Sequence, residues 1–198
     1  MANIVPEEID AAARRGHAAR EIETLEMLEQ RLSSEYTVYH GVHWARAGEG
    51  ASVYGEIDFI VVDRLGRAIA IEQKNGAVEI GADDLIKLYP SGAKGIRAQV
   101  TRNLNQLRSR FGQEHPGKRL DIDHLLYLPD HVVAGPLPSS IDPNRVVDAR
   151  ERDRLAARIA EILEDAVTPS SSAQYQRPAD AGDIHRFLAE LVDVAPSF

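Results

Sequence analysis

The chain has no cysteine among its 198 residues. Disulfides and thiolate metal sites are therefore excluded, and any metal must be held by carboxylate, carbonyl, imidazole or water. Oxygen-rich donor sets of that kind suit hard cations. Long apolar runs are missing too. Nothing approaches the roughly 18 consecutive apolar residues of a membrane span, and the opening "MANIVPEEIDAAARRGHAAREIE" mixes acids with bases where a signal peptide would carry an apolar block. These absences make the cytoplasm the expected location. Positive charge is the third shortage: 23 Lys and Arg face 31 Asp and Glu, for a formal net charge of −8. That balance argues against a surface that binds nucleic acid everywhere, since such binding rests on neutralising phosphates, but not against a local basic patch. The 43% of hydrophobic residues suffices for one compact domain with a short extension.

Periodicity along the chain alternates. Ile22, Leu25, Leu28 and Leu32 recur at helical spacing and predict a first core helix over about 18–32, ended by "SSEY". "YTVYHGVHW" (36–44) is rich in β-branched and aromatic residues and predicts a strand, with the glycine-rich "ARAGEGAS" after it as a loop. Two further strands, about 54–63 and 67–74, are joined by "DRLG", a tight turn closed by Gly66. A loop containing "YPSGAKG" leads to a second helix marked by Ile96, Val100, Leu104, Leu107 and Phe111. "LDIDHLLYLPD" supplies a fourth strand, "RVVDA" a candidate fifth, and residues 150–165 a third helix with Leu155, Ile159, Ile162 and Leu163 inward. The core order is αβββαβ. Residues 168–182, "TPSSSAQYQRPADAG", have linker composition, and "DIHRFLAELVDV" predicts a short amphipathic helix. The expected organisation is one domain over 1–166, a linker over 167–182 and a helical segment over 183–198, leading into a further domain of a longer protein.

Within this pattern "GEIDFIVVDRLGRAIAIEQKNG" (55–76) stands out, because both alternating faces of its strands are apolar and yet Asp58, Glu72 and Lys74 interrupt them. Strands of that kind are covered by helices on both sides. An unpaired charge buried there costs several kcal/mol, so such charges are paired or coordinate a metal. Period 2 puts Glu72 and Lys74 on one face, and pairing across "DRLG" brings Asp58 beside Glu72. Two carboxylates and an ammonium then converge at one end of the sheet as a cation site. Glu21 falls in register with Leu25, Leu28 and Leu32 on the first helix and faces the core. It is either a partly buried acid paired with an arginine or a functional carboxylate. Glu23, Glu26 and Glu29 lie at the edge of that stripe as a solvated face. Glu56 shares a face with Asp58 and is an auxiliary candidate, although its place at the strand start favours solvation. His40 and His43, three apart on a strand, are expected on opposite faces and read as structural.

Asp58 followed fourteen positions later by Glu72-Gln73-Lys74 resembles the D...ExK signature of the PD-(D/E)XK nucleases, which share the αβββαβ order. More narrowly, Glu21, "HGVHW", "GEIDFIVV", "AIEQKNG", "GAKGIRAQVTRNLNQL" and "LLYLPD" resemble a NERD (nuclease-related) domain over about residues 18–165. Gln73 departs from the pattern, standing where an apolar residue is expected. The resemblance implies a restriction-endonuclease-like α/β fold with a mixed central sheet, and a metal-dependent nuclease acting on DNA rather than RNA, in repair or phage defence. It implies Glu21, Asp58 and Glu72 as ligands of Mg²⁺ or Mn²⁺, Lys74 as the residue that orients the attacking water or balances charge, and Gln99 as a residue approaching the site. It also implies a helicase module in the same or a partner chain. Independently, residues 94–119 carry Lys94, Arg97, Arg102, Arg108, Arg110, Lys118 and Arg119 against Glu114 alone. Lys94, Arg97 and Arg102 are the expected phosphate contacts on an otherwise acidic protein. The alternative is a catalytically silent binding or interaction module on the same fold.

Overall fold

The computed structural model describes residues 1–7, 19–48, 51–166 and 176–192. Strand β1 (Asn3–Val5) precedes helix α1 (Ala19–Arg31), and strands β2 (Tyr36–Gly48), β3 (Ala51–Asp63) and β4 (Ala68–Gln73) follow as two antiparallel hairpins. Next come three short strands, β5 (Glu79–Ile80), β6 (Leu85–Tyr89) and β7 (Gly92–Gly95), then helix α2 (Ile96–Glu114). Strands β8 (Lys118–Arg119), β9 (Ile122–Leu128) and β10 (Val146–Asp148), helix α3 (Leu155–Asp165), strand β11 (Arg177–Pro178) and helix α4 (Ala181–Val192) complete the order. The main sheet runs β1-β2-β3-β4-β9-β10, antiparallel in the middle and parallel at both flanks.

Helices cover both faces, as the doubly apolar strands require. On one side Leu25, Leu28 and Leu32 after and along α1, with Leu155, Ile159 and Ile162 of α3, pack on Val38, Phe59, Val61, Ile69 and Ile71. On the other, Val100, Leu104, Leu107 and Phe111 of α2 and Ile184, Phe187, Leu188 and Leu191 of α4 pack on Val42, Ile57, Ile60, Val62 and Ala70. All six residues of β4 are buried. This is a mixed α/β architecture with a central mixed sheet flanked by helices, consistent with a restriction-endonuclease-like fold. The turn into β4 needs Gly66 twice over: its φ is +80°, and an added Cβ would lie 2.9 Å from the Ala181 Cα of α4.

Two stretches expected as loops are paired. Ala45–Gly48 and Ala51–Tyr54 continue the β2–β3 ladder, because ladder bonds use backbone groups and ask nothing of small side chains. Residues 79–95 form a three-stranded antiparallel sheet. A third difference lies at Gly41, whose φ of +65° breaks the alternation of β2. Tyr39 precedes it on the α2–α4 side, but Val42 and Trp44 also lie on that side. The side chain of His43 is thereby turned to the α1 side, where His40 stacks on Phe59 with ring centres 5.2 Å apart. The two histidines share a face, contrary to the expectation from a regular strand.

Candidate active site

The ladder of β3 on β4 ends at Phe59 opposite Ile71, and Asp58 and Glu72 are the next residue along each strand, close enough for their charges to interact. The alternation of β4 then divides its last residues between the layers. Ala68 and Ala70 face α2, so Glu72 does also; Ile69 and Ile71 face α1, and so does Gln73. Glu72 is 4% exposed. Its Oε1 accepts from Lys74 Nζ at 2.5 Å and from Gln99 Nε2 of α2 at 2.8 Å. Asp58 Oδ2 accepts from the Gln73 backbone amide at 2.7 Å. Among the described residues every hydrogen bond to Glu72 falls on Oε1 and every one to Asp58 on Oδ2. One oxygen of each acid is left for an ion or a substrate.

Gln73 does not disturb the other face. Its Oε1 accepts from the Thr24 hydroxyl at 2.7 Å and its Nε2 donates to Asn75 Oδ1 at 2.8 Å, so a buried amide sits in a satisfied pocket under α1. The polar ribbon of α2 works as a set of fasteners at the same end of the sheet. Besides Gln99, Asn103 Nδ2 donates to the Glu56 carbonyl at 2.7 Å and Gln106 accepts from Trp44 Nε1 at 3.3 Å.

Electrostatics follow from burial. Desolvation and then the neighbouring Glu72 push the Asp58 carboxyl well above the usual range, against the pull of Lys74 and the Gln73 amide. Burial also raises Glu72, with Lys74 opposing. Burial would lower Lys74, but Glu72 outweighs it and holds the ammonium above its ordinary value. Two acids thus share one cation, and both feel Glu21. That is a site short of positive charge.

Glu21 comes from the other layer. It is half-buried, and its Oε2 lies 3.4 Å from His40 Nε2, so its partner is a histidine rather than an arginine. Among the described residues no three His, Asp or Glu side chains form a group close enough to hold an ion. Glu56 is exposed. Of the basic residues, Lys94 sits with Nζ 5.4 Å from the centre of the Tyr89 ring. Arg97 lies on the far flank of α2 from Gln99 and lines a cavity of about 190 Å³ with Thr101, His124 and Arg145. Arg102 is exposed. Arg110, Lys118 and Arg119 are tied to Glu114, to Asp180 and Asp183, and to Asp121. Three of the seven basic side chains of this region are thus paired with acids within the fold. Sequence reasoning passed over Lys87 and Tyr89; the signal for them was "LIKLY", a β-rich run ahead of a two-residue Pro-Ser turn.

With this geometry in place the comparison with known families decides the class. The model of the nuclease-related domain, NERD, matches residues 16–129. The chain belongs to the NERD family. The matched stretch runs from before α1 to just past β9 and so contains Glu21, Asp58, Glu72, Lys74 and Gln99. No curated protein and no solved structure matches the chain at a significant level. The match ends before β10, α3 and α4, and those two helices complete the two helical layers.

Proposed function

We propose that this NERD domain is a metal-dependent nuclease that hydrolyses phosphodiester bonds of DNA, in the cytoplasm and in the setting of repair or phage defence. The observation that supports it is the pair of half-buried Asp58 and buried Glu72, each acid with one oxygen unengaged among the described residues and with Lys74 bound to Glu72 as the cation they share. Such a pair fits a hard divalent ion, because Mg²⁺ or Mn²⁺ is commonly held by one or two carboxylates and retains waters. Asp58 and Glu72 would hold it, and Glu21, paired with His40 in the other layer, adds negative charge to the site without completing a three-ligand group among the described residues. When bound, the ion supplies charge neutralisation at the phosphate and a water of lowered pKa.

The chain's own residues do the rest. Glu72 keeps the Lys74 ammonium charged and fixed, 11% exposed, with its remaining N–H groups free to donate to an incoming phosphate oxygen or to orient the attacking water. Gln99 holds Glu72 from the helix side, so the carboxylate does not swing away when Lys74 turns to the substrate. One observation favours a second reading, a silent binding module: no ready three-ligand group exists among the described residues. Incubation with single-stranded, duplex and supercoiled DNA, with Mg²⁺ or with EDTA, separates the two. The nuclease reading expects cleavage with Mg²⁺ alone, abolished in Glu72→Ala and Lys74→Ala; cleavage at wild-type rates in both variants would sink it.

A further inference from the structure

The β6–β7 hairpin is joined to the acidic site at both ends. On one side it runs directly into α2, whose Gln99 holds Glu72. On the other, Lys87 Nζ donates to the carbonyls of Asn75 at 2.5 Å and Ala77 at 3.0 Å, the residues that follow Lys74. Alternation puts Tyr89 on the same face as Lys87. The antiparallel register pairs Lys87 with Lys94, so Lys94 joins them there, with its ammonium 5.4 Å from the Tyr89 ring centre. Tyr89 belongs to neither apolar core, and among the described residues its hydroxyl makes no hydrogen bond. A half-buried aromatic ring outside both cores, with one lysine over it, thus sits beside a second lysine that reaches the segment after Lys74.

We propose that this face of the hairpin is a stacking platform: Tyr89 receives an unpaired base and Lys94 the phosphate that follows it, which makes a single-stranded segment the substrate of the adjacent acids. The inference rests on the nuclease reading for what happens at Asp58 and Glu72, but not for the binding itself. An aromatic face beside a cation suits single strands of any sequence, since every base has a π-face. In a duplex those faces are covered by neighbouring bases, and reaching one requires unstacking.

Fluorescence anisotropy in EDTA, with a labelled mixed-sequence oligonucleotide as single strand and as duplex, tests the platform without any cleavage. Tyr89→Ala and Tyr89→Leu, the second keeping apolar bulk but no ring, should each weaken single-strand binding on the order of ten-fold, and Tyr89→Phe should preserve it. Duplex binding should be unmoved by all three. Lys94→Ala should weaken single-strand binding and lower its log–log salt slope by about 0.7. Wild-type single-strand affinity in Tyr89→Leu, equal losses for single strand and duplex, or a wild type that binds neither overturns the platform. Cleavage is then read separately with Mg²⁺. Tyr89-dependent binding without cleavage overturns the nuclease reading and leaves the platform standing; cleavage of duplex and single strand alike by Tyr89→Leu does the reverse.

Discussion

At the scale of single residues, Asp58 carries a charge that its surroundings disfavour. It is desolvated and repelled by Glu72, and among the described residues Lys74 and the Gln73 amide compensate. Removing its charge while keeping its shape should help the metal-free protein. Asp58→Asn is expected to stabilise the apo protein by roughly 0.5 to 2 kcal/mol, as at active sites that trade stability for function. The same change should remove stabilisation by Mn²⁺, which grows as RT ln(1 + [L]/Kd) for a ligand of the folded state alone. The two effects have opposite signs, so thermal melts of wild type and variant, each with EDTA and with millimolar Mn²⁺, separate them. A variant that melts lower without metal and still shifts upward with Mn²⁺ would show that Asp58 is structural. The positions of Asp58, Glu72 and Lys74 were legible from the sequence because a charge inside a doubly apolar strand has few physical explanations. The partner of Glu21 was not, because His40 reaches it only through packing between layers.

At the scale of elements, α2 carries Gln99 into the site, and Asp84 sets where that helix begins. Its two carboxylate oxygens accept from the Arg97 and Ala98 amides at 2.9 and 3.0 Å, while Gly95 leaves room for it, an added Cβ there falling 2.5 Å from Oδ2. Asp84→Ala should cost about 1 to 2 kcal/mol in urea denaturation, and should lower cleavage more than its modest stability loss explains, since Gln99 shifts with the first turn. Full activity in a destabilised Asp84→Ala would refute that positioning role. Asp148 does the comparable work at the far edge. Burial would raise its carboxyl, but the Arg150 guanidinium and the amides of Val133 and Arg150 outweigh burial and hold it below the usual range. A depressed folded pKa contributes stability that is present above the unfolded value and lost as pH falls through the folded one. Asp148→Asn should therefore cost about 1 to 3 kcal/mol at neutral pH, and the gap to wild type should close below about pH 4; a gap that is constant from pH 7 to pH 3 would contradict it. Helices and long strands were legible because their apolar periods are regular. The 79–95 sheet was not, since two- to five-residue strands broken by Gly and Pro carry too short a period, and the reversal at Gly41 was not, since one residue of positive φ leaves no trace in an apolar pattern.

At the scale of the whole molecule, linker-like composition over 168–182 invites a boundary at 166, yet the chain returns to the core beyond it. Arg177 and Pro178 pair with Lys118 and Arg119, and Lys118 binds Asp183 at the start of α4. Phe187 meets Phe111 edge-on at 5.1 Å, and Tyr39 Oη lies 2.7 Å from His185 Nδ1. With α1 on the opposite face, α4 is what keeps β2 buried on both sides. Ile184, Phe187, Leu188 and Leu191 are each 2% exposed or less. At about 1.5 to 3 kcal/mol for each buried side chain, their removal withdraws a sum comparable to the roughly 5 to 15 kcal/mol that holds a whole domain together. A chain ending at residue 166 should thus keep its helical circular dichroism but bind a hydrophobic dye and melt without a cooperative transition. The milder Phe187→Ala, which leaves the chain intact, should cost about 3 to 5 kcal/mol and lower the urea midpoint at unchanged slope. If Phe187→Ala costs under about 1 kcal/mol, within the range of surface substitutions, α4 is an appendage docked on a self-sufficient core, and the NERD fold of this chain closes without it.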